Sequence, residues 1–233
     1  MNNLPDQDID RLLISCARSG DVAGVAGLLA EGAEPKTSDF AALRLASWNG
    51  HADCVKLLIP VSDPKADNSD ALHLAAYNGH AECVELLIPV SDPKAEDSQA
   101  LHRAASGGYA DCVRLLSPVS CPTANHSQAL ELAAINGRDE CVKLLMPVSD
   151  PLVEMLEAIA KTARLGRAST LSIMFSHEPR LLELLNLPSL LDEAMAHKHA
   201  ELAHLLFSII ERQSISAHLP QPTPSLSSTA PRL

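Results

Sequence analysis

Four cysteines, Cys54, Cys83, Cys112 and Cys141, recur at intervals of 29 residues in this 233-residue chain. His51 and His80 keep the same interval, as do His73 and His102, and His197, His199 and His204 gather near the C-terminal end. Cysteine and histidine are the residue types of redox chemistry and of metal ligation. The spacing argues against both for the repeated residues. Equivalent atoms of stacked repeats lie roughly 10 Å apart, whereas a disulfide needs Cα atoms within about 7 Å and zinc needs ligands at about 2 Å. No Cys-x-x-Cys pair occurs and no base recurs beside each thiol. The column reads as buried free thiols acting as small hydrophobes, which favours a reducing, cytoplasmic compartment. Cys121 is different. It replaces the Asp of "SDP" in a connector, where exposure would open it to oxidation or modification, and neutral drift is the favoured account of it. The C-terminal histidines lie on both sides of a turn, a poor arrangement for one ion. The chain has no nucleophile elbow, phosphate loop, zinc signature or paired-carboxylate motif. We expect no enzymatic activity, no cofactor and no metal. The competing reading is a redox- or metal-responsive protein using these Cys and His residues, and labelling of the native thiols separates the two.

What must position these residues is the repeat itself. "NGH" stands at 49–51 and again at 78–80, and Pro60, Pro89, Pro118 and Pro147 share the 29-residue step. A fixed period of this size marks a solenoid, in which each unit contacts only its neighbours. In the clearest copy Leu72, Ala75 and Ala76 share one face of a first helix. Ser69 or Asp70 is its expected N-cap, and Asn78–Gly79 ends it, since glycine tolerates the left-handed backbone of a tight reversal. A second helix over about 81–88 buries Cys83, Val84, Leu86 and Leu87, and Pro89 stops it. The connector "PVSDPKAEDS" is expected to run extended over the surface. Aromatic residues are only 3%, so Ala and Leu must do the packing.

The period divides the chain into an N-terminal arm (1–7), a capping repeat (8–37), four strict repeats (38–66, 67–95, 96–124 and 125–153), a weaker repeat (154–185), a C-terminal capping repeat (186–213) and a Ser/Pro-rich tail (214–233) expected to be disordered. In the last repeat Lys198 takes the glycine's place, which argues for a modified or continuous corner there. The net charge of −11 leaves no basic footprint for nucleic acid. The N-terminus is too polar for a signal peptide, and no apolar run approaches a membrane span.

"ALHLAAYNGHAECVELLI" at 71–88 resembles the ankyrin repeat, through Leu72-His73, Ala75-Ala76, Gly79-His80 and Leu86-Leu87. The likeness extends in weaker form over roughly 8–210. Two departures stand out. Asp70-Ala71 or Gln99-Ala100 replaces the family's Thr-Pro, and the period is 29 against about 33. The missing residues fall where ankyrin repeats carry a projecting β-hairpin. The resemblance implies an all-α, ankyrin-like helix-turn-helix solenoid of about seven repeats with hairpins truncated or absent. It makes His73 and His102 structural residues that hydrogen-bond nearby backbone. It also implies a monomeric scaffold or adaptor that binds another protein on its concave first-helix and turn surface.

Comparing the copies separates frame from surface. One series before the turn reads Trp48, Tyr77, Ser106, Ile135, and the next reads Asn49, Asn78, Gly107, Asn136. The series after the turn glycine reads His51, His80, Tyr109, Arg138. Partner binding is assigned to Trp48, Asn49, Tyr77, Asn78, Ser106, Tyr109, Ile135 and Arg138. The sole Trp and both Tyr fall on or beside this strip, and these are the residue types most enriched in binding hot spots. The alternative is that they are rim residues packing on the next repeat. Two further readings stay open: a regulatory subunit acting through the tail, and delivery of the protein into a host cell. The partner's identity is not written in the sequence.

Overall fold

The computed structural model describes residues 6–36, 40–149 and 153–218. Short Leu/Ala-rich segments separated by Gly turns form helices that pair and stack. The pairs are α1 (Asp6–Ser19) with α2 (Val22–Ala30), α3 (Ala41–Asn49) with α4 (Ala52–Leu58), α5 (Ala66–Tyr77) with α6 (Ala81–Leu87), and α7 (Ala95–Gly107) with α8 (Ala110–Leu116). They continue as α9 (Ala124–Ile135) with α10 (Asp139–Leu145), α11 (Val153–Arg164) with α12 (Ala168–His177), a single turn α13 (Leu181–Leu184), and α14 (Leu187–Ala196) with α15 (Ala200–His218). First helices pack on first helices and second helices on second helices, giving two layers. No strand occurs among the described residues, so the fold is an all-α helix-turn-helix solenoid without hairpin fingers there.

The core is one column repeated. Leu72, Ala75, Ala76, Cys83, Val84 and Leu87 are fully buried, and so are Leu101, Ala104, Ala105, Cys112, Val113 and Leu116 in the next copy. Each such leucine contributes about 1.5–3 kcal/mol through removal from water, and the alanines let the helices approach closely. Gly79 turns the chain at φ 78°, and the His80 N–H donates to the Ala75 carbonyl at 3.0 Å. Lys198 does the same without being glycine. It sits at φ 61°, and the His199 N–H donates to the Ala194 carbonyl at 2.9 Å. The expected modified corner is therefore an ordinary one, formed by a residue that pays about 1–2 kcal/mol for the left-handed region.

The connectors correct a second expectation. They do not run extended. Asp67, Asn68 and Ser69, which interrupt the start of α5, all lie in the left-handed region (φ 47°, 56° and 66°), and Glu96, Asp97 and Ser98 repeat the turn at the start of α7 (47°, 56° and 68°). Asp and Asn tolerate this region better than most residues. The turn is held from the side by serines. The Ser91 hydroxyl donates to the Pro64 carbonyl at 3.2 Å and the Ser120 hydroxyl to the Pro93 carbonyl at 3.1 Å. In return the Asp92 N–H donates to Ser69 Oγ at 2.8 Å and the Cys121 N–H to Ser98 Oγ at 2.9 Å. Ser69 thus does not cap α5. Its hydroxyl is committed to the following repeat. Where ankyrin hairpins would project, a buried serine ladder ties the units together.

The ends differ as well. Residues 214–218, read as tail, belong to α15, and 219–233 lie outside the described residues. Asp6 and Gln7, read as arm, open α1, while 1–5 lie outside.

Candidate functional site

Trp48 and Tyr77 occupy the last turns of α3 and α5, one repeat apart. Both remain exposed, at 42% and 48%. Their rings stack with centroids 5.8 Å apart and an interplanar angle of 20°. The Arg103 guanidinium of α7 lies over the Tyr77 ring, 5.6 Å from its centroid. Aromatic–aromatic and cation–π contacts of this kind hold side chains in place before any ligand arrives. Between these helices is a cavity of about 340 Å³ lined by Trp48, Asp70, His73, Leu74, Tyr77, Gln99 and Arg103. The Asp70 carboxylate is matched by Arg44, 2.9 Å away, which also meets Asp67 at 3.3 Å.

The other assigned residues are placed elsewhere. The Asn49 and Asn78 side chains donate to the Leu45 and Leu74 carbonyls at 2.8 and 3.0 Å, satisfying carbonyls that a helix end leaves free. Asn136 does the same to Leu132 and also donates to Ser106 Oγ. Arg138 Nε donates to the Ser106 carbonyl at 3.2 Å, and Ile135 is half-buried. The Tyr109 ring lies against Gly79 and Gly107, where an added Cβ would collide with it. His51 Nε2–H donates to the Arg18 carbonyl at 3.0 Å, His80 to Trp48 at 3.0 Å and His199 to Arg164 at 2.9 Å. The series after the turn glycine is thus a set of clasps, each reaching back over the preceding turn. For Tyr109 and Arg138 the geometry is that of rim residues packed on a neighbouring repeat.

The histidines expected to bond backbone, His73 and His102, are 6% exposed with Nε2 atoms that find no hydrogen-bond partner among the described residues. Burial lowers the pKa of both, so they are neutral at pH 7. Burial also pushes the Cys83, Cys112 and Cys141 thiols up to about 11, which suppresses the thiolate that redox or metal chemistry needs. Cys121 is exposed and Cys16 half-buried. No group of three His, Cys, Asp or Glu with metal-holding geometry occurs among the described residues. No helix among them is long and apolar enough to cross a membrane.

Arg103 is the residue the strip comparison passed over. Its series reads Leu45, Leu74, Arg103, Leu132, and the one charged member among leucines was the available signal.

Stacked helix pairs with tight glycine corners define a helical repeat protein. A family model of ankyrin repeats (3 copies) matches residues 12–97 and 72–155, more than half of the chain, and the chain belongs to the ankyrin repeat family. That family generally comprises protein–protein interaction modules without enzymatic activity. No curated protein matches the chain.

Proposed function

We propose that the array is a non-enzymatic protein–protein interaction module, a scaffold or adaptor, whose partner docks on the first-helix face centred on Trp48 and Tyr77. The observation that carries this reading is the exposed Trp48–Tyr77 stack. Two large aromatic rings held open to solvent on an otherwise Ala/Leu-packed solenoid have no part in the buried column. A stack already fixed by Arg103 loses little rotamer freedom on binding, which lowers the entropy cost of association.

The double variant Trp48→Ala/Tyr77→Ala is expected to keep the helical circular dichroism of the parent and to weaken a captured partner by about 30-fold or more, the effect of losing a hot spot of about 2 kcal/mol. The measurement is affinity capture with quantitative mass spectrometry, followed by titration of the enriched protein. An unchanged affinity with the folded variant would sink the site assignment.

A further inference from the structure

The cavity beside the aromatic stack is lined by a cation, Arg103, that forms no ion pair among the described residues. On the first helices, Arg44 is matched by Asp67 and Asp70 of the next repeat, Lys161 by Glu131 of the preceding repeat and by Glu157 of its own helix, and Arg164 by Glu193 of the next repeat. Arg103 has no carboxylate partner among the described residues. It is exposed, and its guanidinium is oriented by the Tyr77 ring beneath it. A guanidinium keeps five donors in a planar fork that fits a carboxylate with two parallel hydrogen bonds. Stacking on an aromatic face leaves the edges of that fork free.

The rest of the cavity narrows the occupant. Trp48, Tyr77 and Leu74 give an apolar wall. Asp70 also lines the cavity but is engaged by Arg44, which leaves the Arg103 guanidinium as the lining group with its ion-pairing capacity unused. A volume of about 340 Å³ is at the small end for ligand pockets, about 300–1,000 Å³. It accommodates one or two side chains rather than a cofactor. We infer that this cavity receives a partner segment in which an Asp or Glu side chain pairs with Arg103 while an adjacent apolar side chain lies on the Trp48–Tyr77 shelf. The inference rests on the interaction-surface reading above and adds the chemistry of what is recognised there.

The test is a 12-residue random peptide library displayed on phage and panned against the full chain, the Arg103→Gln variant and the Arg103→Glu variant. Arg103 is an exposed side chain, so both variants are expected to fold, with circular dichroism as the check. The expected result on the parent is enrichment of an acidic residue next to an apolar one. Arg103→Gln loses the acidic preference, and Arg103→Glu exchanges it for Lys or Arg. A synthetic peptide of the enriched sequence, followed through the fluorescence of the sole tryptophan, should bind Arg103→Gln about ten-fold more weakly than the parent. Peptides that need Trp48 and Tyr77 but carry no acid, or that bind Arg103→Gln equally well, overturn the carboxylate assignment and leave the surface standing. Peptides indifferent to Trp48 and Tyr77, or no enrichment at all, overturn the surface itself.

Discussion

At the scale of single residues, the side chains that look most chemical do the framing. Cys83, Cys112 and Cys141 are protonated well past neutrality because burial disfavours the thiolate. Their ordinary value is 9.0 and the folded value about 11. The folded state therefore keeps protons that the unfolded chain releases from pH 9 upward, and this stabilisation is lost as pH rises from 9 to 11. His73 and His102 act at the other end. Their folded pKa lies below 6.5, so the unfolded chain takes up protons first and stability falls as pH drops below 6.5. Urea midpoints measured from pH 5 to 11 should form a plateau between these limits, and Cys112→Ala should shallow the alkaline slope. A midpoint flat to pH 11 would mean the column is not buried. The cysteines were legible as packing because four copies at one interval outvote any single-site reading. Arg103 was not, since a lone substitution in a leucine series resembles drift until the fold lays it over a ring from the neighbouring repeat.

At the scale of elements, the turns and the connectors join the repeats in different ways. The glycine corner and the proline stop were readable from residue type, because each restricts φ directly. The connector was not. Asp, Asn, Ser and Glu are compatible with extended chain as well as with left-handed backbone, and three consecutive left-handed residues are held here by backbone bonds within the connector together with serine bonds to the adjacent repeats. Ser98 shows what that closure contributes. It is fully buried and accepts the Cys121 N–H. Ser98→Ala leaves that donor without its partner and is expected to cost about 1–3 kcal/mol, read as a lower urea midpoint with the native circular dichroism retained. A loss no larger than that of an exposed serine would show the ladder to be incidental.

At the scale of the whole molecule, the array is quasi-one-dimensional, its main packing among the described residues running between adjacent pairs. Where a defect falls should then matter as much as its size. Leu87 in α6 and Leu206 in α15 are both fully buried, and truncation of either to Ala should cost about 2–5 kcal/mol locally. Leu87→Ala interrupts the middle of the stack, and a broadened or two-step urea transition is expected. Leu206→Ala should fray only the last pair, with an early partial loss of helical signal before an unchanged main transition. Identical curves for the two would mean that the array unfolds as a single block. This architecture was legible almost entirely from the period. The cavity beside Trp48 and Tyr77 was not, because its walls come from three repeats and no one copy contains it.

The clasps over the turns all point one way. His51, His80 and His199 reach a carbonyl of an earlier repeat, as does Arg138. A ribosome makes the chain in that same order. When His80 leaves the exit tunnel, the carbonyl of Trp48 has already been made, so each new repeat can be latched onto the one before it without waiting for any that follow.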